Sequence, residues 1–98
     1  MTTFLLLYQG PPTPPDASHE GWPEWFARAG EALVDRGSPL VHGFAVHGDG
    51  STGDAASRLN GYSLIEAADR AQAVELIRHH PFVALGPDYA VEAYELPG

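Results

Sequence analysis

Apolar positions along the chain alternate first with a period of two, then recur at helical spacing, and the sequence runs through that change twice. In Thr3 to Gln9, TFLLLYQ, Phe4, Leu6 and Tyr8 point to one side and Leu5 and Leu7 to the other. This predicts a first strand that is apolar on both faces. A strand of an antiparallel sheet with one wet face alternates apolar with polar, so something must cover each side here. Gly10 to Ser18, GPPTPPDAS, holds four of the nine prolines and reads as a stiff connecting loop. His19 to Arg36 then holds the first helix. Pro23 is tolerated only where a helical amide is unpaired anyway, which puts the cap between Glu20 and Trp22. Trp22, Trp25, Phe26, Ala29 and Leu33 form an apolar stripe at helical spacing, with Gly37 as the stop and Pro39 beyond it.

The second half repeats the change. Leu40 to His47, LVHGFAVH, reads as a second strand with a bulge or close contact at Gly43. Gly48 to Ala56 reads as the polar tip of a hairpin. Leu59 to Ala67 is the third strand. Asp69 stands three residues before Gln72, a spacing in which side chains satisfy the free amides of a helix start. The helix runs from Asp69 to His80, with Ala73, Val74 and Ile77 on one face and Leu76 beside them. Pro81 closes it by forcing His80 out of the α region. A turn over Phe82 to Asp88 leads to a fourth strand, Tyr89 to Leu96.

The order is β-α-β-β-α-β, which predicts an α+β, ferredoxin-like fold: a four-stranded antiparallel sheet with two helices on one face. The two-sided apolar first strand implies that the bare face is covered as well. A second copy packed sheet to sheet, making a homodimer through the open face, is the simplest cover. The rival is a monomer whose sheet face is a ligand platform.

A length of 98 residues suits one domain, and 44% apolar residues are enough for a core. With no Cys there is neither a disulfide framework nor a thiolate zinc site. Asp49 and Asp54 adjoin glycines but lack the spacing and closing Glu of a calcium loop, so no metal or other cofactor is expected. The net charge is −8 and all five basic residues are Arg. Such a surface repels phosphate backbones, which argues against nucleic acid, although one buried Arg could still hold a carboxylate. No run spans a membrane, and FLLLY is too short for a signal segment, so a cytoplasmic protein is expected.

Five His are the side chains that titrate near neutral pH. His42 follows Asp35 after a short turn, so the two form a candidate pair for proton transfer. His79 and His80 close the second helix, where capping or surface roles are expected, because adjacent helical residues diverge by roughly 100°. Trp22, Trp25 and Phe26, with Tyr8 and Tyr62, are candidates to line a ligand cleft, with the two Tyr hydroxyls as donors. No Gly-rich phosphate loop or nucleophile elbow is present.

The pieces FLLLYQG, WFARAGEALVDRGSPL, GYSLIEAADRAQAVELIRHHP and VEAYEL, in that order, resemble the YCII-related (YciI-like, DGPF-domain) family. The resemblance implies one domain over residues 1–98, a dimeric α+β barrel and a cleft between sheet and helices. Some relatives on that fold act on muconolactones or chlorinated aromatic compounds with a His as proton-transfer group and an Asp partner, which implies a small aromatic or lactone-like ligand. Asp35 matches the Asp position, whereas His19 precedes the helix that carries the His. The loop that holds Asp-Gly-Pro-Phe in many members reads GDGSTGDAASRLNG here, and the Gly-Cys-Pro after the second helix reads His79-His80-Pro81. Three functions follow as expectations. The first is a small dimeric binding or accessory protein, the second a cofactor-free lyase or isomerase using His42 and Asp35, the third a purely structural dimer.

Overall fold

The computed structural model describes residues 1–12 and 21–97. His19 and most of the proline-rich connector therefore lie outside the described residues. The main sheet has four antiparallel strands: β1 (Thr2–Gln9), β2 (Leu33–Pro39), β5 (Leu59–Ala67) and β6 (Ala90–Leu96), in the order β2-β5-β1-β6. Between β2 and β5 the chain makes a separate two-stranded hairpin from β3 (Phe44–Val46) and β4 (Thr52–Asp54). Helix α1 (Trp22–Ala29) follows β1, and helix α2 (Arg70–Arg78) follows β5. The protein is thus α+β, and its strand order is consistent with the ferredoxin-like arrangement.

Strand alternation divides the sheet into two faces. Phe4, Leu6 and Tyr8 of β1 are buried together with Ile65 and Ala67 of β5, and against them pack Trp25 and Ala29 of α1, Ala73 of α2, and Phe82. Full burial of a side chain such as Leu6 or Ile65 is worth about 1.5–3 kcal/mol each. The other face carries Leu5 between Leu64 and Tyr94, and Leu7 between Tyr62 and Glu92. Leu5 and Leu7 are half-buried, and Tyr94 and Leu96 are exposed. Both faces of β1 are apolar as the sequence requires, and the described residues cover one of them. No helix among those residues is long and apolar enough to cross a membrane.

The start of α2 follows its sequence signal. The Asp69 carboxylate accepts from the Gln72 amide at 2.9 Å, and the Gln72 side chain accepts from the Ala68 amide at 2.7 Å. The first helix and second strand differ from expectation. Helix α1 ends at Ala29, because Gly30 takes φ 52° and ψ −121°, and one 3-10 turn leads straight into β2. Leu33 continues the apolar spacing of α1 but belongs to the edge strand, opposite Ile65. Gly37, read as a helix stop, lies inside β2 at φ 78°, where the register with β5 shifts. The expected second strand at Leu40 to His47 is therefore displaced: only Phe44–Val46 is extended, outside the main sheet. Pro39 ends the edge strand, and His42 turns the chain away with φ 57°.

Candidate functional site

The residue that organises the site is His80. Pro81 keeps His80 from continuing α2, and the backbone closes a tight turn in which the Val83 amide donates to the His80 carbonyl at 3.1 Å. The ring lies inside the core with 1% of its surface exposed. The expected capping or surface role therefore holds only for His79, whose ring sits 3.6 Å from Glu75 on the surface. His80 packs between Trp25 at 4.3 Å, Trp22 at 4.6 Å and Tyr8 at 4.8 Å, measured between ring centres.

Its hydrogen bonds fix its proton. The Phe82 amide donates to Nδ1 at 3.0 Å, so Nδ1 carries no hydrogen and the neutral ring is protonated on Nε2. Nε2 donates to Tyr8 Oη at 3.1 Å. Tyr8 Oη donates in turn to Ser63 Oγ at 2.6 Å, and Ser63 Oγ donates to the Arg36 carbonyl at 2.7 Å. One run of donors thus crosses from the end of α2 through β1 and β5 to β2, every member with a partner. Burial pushes the His80 imidazole down to about 3 and the Tyr8 phenol up to about 12. Both groups are therefore neutral through the physiological range.

Beside this run, a cavity of about 420 Å³ opens between α1 and the β2–β5 end of the sheet. Tyr8, Trp22, Phe26, Phe82 and Leu85 supply most of its apolar wall, and Arg36, Ser38 and Asn60 supply polar groups. Tyr8 and Trp22 meet edge to face at 5.2 Å, and the Arg36 guanidinium lies 5.0 Å over the Phe26 ring. The volume is that of a small-molecule site.

Tyr8, Trp22 and Phe26, three of the five aromatic candidates, face this space. Trp25 is buried behind it and donates from Nε1 to the Leu76 carbonyl at 3.1 Å, tying α1 to α2. Tyr62 borders the cavity, but it pairs with Leu7, so alternation turns its side chain to the opposite face of the sheet. No hydrogen bond or ion pair joins Asp35 and His42. The Asp35 carboxylate accepts from the Gly37 amide at 2.8 Å, and Asp35 and His42 are both exposed. His80, Ser63 and Arg36 were not among the sequence candidates. Ser63 carries a legible signal, being the one polar side chain on the buried side of β5.

Comparison with known proteins bears on this geometry. The model of the YCII-related domain matches residues 3–96. The chain belongs to the YCII-related family. Neither the curated proteins nor the solved structures yield a match. The YCII-related domain fills nearly the whole chain, so both halves of the cavity, from β1–α1–β2 and from β5 to Leu85, lie within it.

Proposed function

We propose that this YCII-related domain is a binding or accessory protein that holds a compact, partly aromatic molecule in the cavity beside Tyr8 and Trp22. The observation that carries the reading is an aromatic-lined space of about 420 Å³ backed by a buried hydrogen-bond run that reaches the wall at Tyr8 and in which every member has a partner. A satisfied run behind the wall gives shape and rigidity without a group poised to exchange protons. Trp25 backs the site by fixing α1 on α2, and Tyr62 borders it from β5. Proton transfer by His42 and Asp35 has less support, because no hydrogen bond or ion pair joins the two side chains and neither lines the cavity. Titration of a panel of small aromatic compounds is expected to change Trp22 emission and raise Tm. Gly61→Leu, which fills space in front of Tyr8 (an added Cβ there already lies 3.3 Å from the Tyr8 ring), is expected to abolish the response. A response that persists in that variant would contradict the reading.

The open sheet face supports a second element of the proposal, a homodimer of the α+β barrel kind. Leu5, Leu7, Leu64 and Tyr94 form a continuous apolar patch across β5, β1 and β6, which lone domains rarely expose. Sedimentation at micromolar concentration is expected to give twice the 10.5 kDa chain mass, and Leu64→Glu to give the single chain. A wild-type particle of 10.5 kDa would overturn the dimer.

A further inference from the structure

The lining of the cavity carries information about its ligand that the aromatic wall alone does not. Among the described residues, three neutral polar side chains besides Tyr62 border it, and each of the three spends its donors within the protein. Tyr8 donates to Ser63, Ser38 donates to the Pro39 carbonyl at 2.9 Å, and Asn60 donates to the carbonyls of Gly10 and Pro11, both at 3.2 Å. Arg36 differs from them. Among the described residues its guanidinium makes no ion pair and no hydrogen bond, and it rests over Phe26. Among the described residues it is also the one charged residue on the cavity wall, in a chain of net charge −8.

We propose that the cavity takes a small aromatic monocarboxylate, its ring against Trp22 and Phe82 and its carboxylate on the Arg36 guanidinium. The inference rests on the binding reading above and names the ligand class for the same site. A guanidinium laid on an aromatic ring keeps its N–H edge free, and that planar fork matches a carboxylate in two parallel hydrogen bonds. One arginine in so acidic a protein balances one negative charge. A phosphate or a dicarboxylate would leave a charge facing the protein's own negative field. The cavity volume fits a body of one or two fused rings.

The test compares 2-naphthoate with its uncharged counterpart 2-naphthamide, titrated calorimetrically into wild type and into Arg36→Gln. Arg36 is exposed, so the variant is expected to keep the wild-type circular dichroism spectrum. Wild type is expected to bind the carboxylate at least about tenfold more tightly than the amide, as a charge-assisted pair provides. Arg36→Gln is expected to bind the two compounds alike, the advantage of the carboxylate being lost. Equal affinities in wild type, or a preference that survives in Arg36→Gln, would overturn the carboxylate assignment and leave the binding reading standing. Binding of neither compound would overturn both.

Discussion

Gly37→Ala is expected to abolish the native fold or to detach β2 from β5. Gly37 sits at φ 78° in the edge strand, and a Cβ built on it falls 1.6 Å from the Tyr62 carbonyl oxygen and 2.5 Å from its carbon. Those are backbone atoms of the neighbouring strand, so no side chain can move aside. The left-handed backbone adds about 1–2 kcal/mol for any residue with a Cβ. Relief requires β2 to move, and β2 carries the Arg36 carbonyl that ends the hydrogen-bond run as well as one wall of the cavity. Gly30→Ala serves as the comparison. Its φ is 52°, but nothing lies within 4 Å of the added Cβ, so it is expected to cost only about 1–3 kcal/mol and to retain a cooperative transition. Thermal unfolding of the two variants followed by circular dichroism checks the contrast. A Gly37→Ala protein as stable as Gly30→Ala would show that the close approach of β2 to β5 is wrong.

The second large effect is on acid stability. His80 has its folded value depressed to about 3 from an ordinary 6.5, by burial. The unfolded chain therefore takes up a proton below pH 6.5 that the folded chain refuses. The contribution of neutral His80 is complete above pH 6.5 and is lost as the pH falls towards 3. The slope is about 1.4 kcal/mol per pH unit over that window. Between pH 6.5 and 4.5 the loss is roughly 3 kcal/mol, a large part of the 5–15 kcal/mol that holds a typical domain together. His80→Gln separates this loss from that of the carboxylates. A Gln amide can accept from the Phe82 amide and donate to Tyr8, yet it does not titrate. Urea unfolding at pH 7 and pH 4.5 is expected to show a loss about 3 kcal/mol larger in wild type than in His80→Gln. Parallel losses in the two proteins would contradict a neutral, buried His80.

Much of the architecture could be read from the chain because strong local signals agreed with tertiary demand. TFLLLYQ has two apolar faces and sits in mid-sheet. Asp69 and Gln72 cap α2 in the geometry their spacing implies. Where the reading failed, at α1 and β2, two glycines exchanged roles. Gly30 ends the helix and Gly37 bends a strand, whereas Leu33 and the run DRG imitate a helix that continues to Arg36. The preference of an isolated segment cannot register a close approach to Tyr62, which lies 25 residues further on.

The site was legible in part for the same reason. Tyr8 and Trp22 advertise themselves by type and position, and both reach the cavity. His80 did not, since a His at a helix terminus is usually solvated. Its inward turn depends on Pro81 together with a pocket formed by Trp22, Trp25 and Tyr8, which meet only in the folded chain. Arg36 was hidden as well, because its value lies in being the sole charge among the described residues of a wall that sequence spacing does not define.

The proposed binding role requires the imidazole of His80, behind the cavity wall, to be held neutral rather than titrated. Long-range 15N–1H NMR spectra of the histidine side chains, recorded from pH 8 down to pH 4, address this directly. One of the five rings is expected to remain neutral with its hydrogen on Nε2 throughout, and to lose that signature in His80→Gln. A series in which every ring has taken a second proton by pH 5 would contradict it.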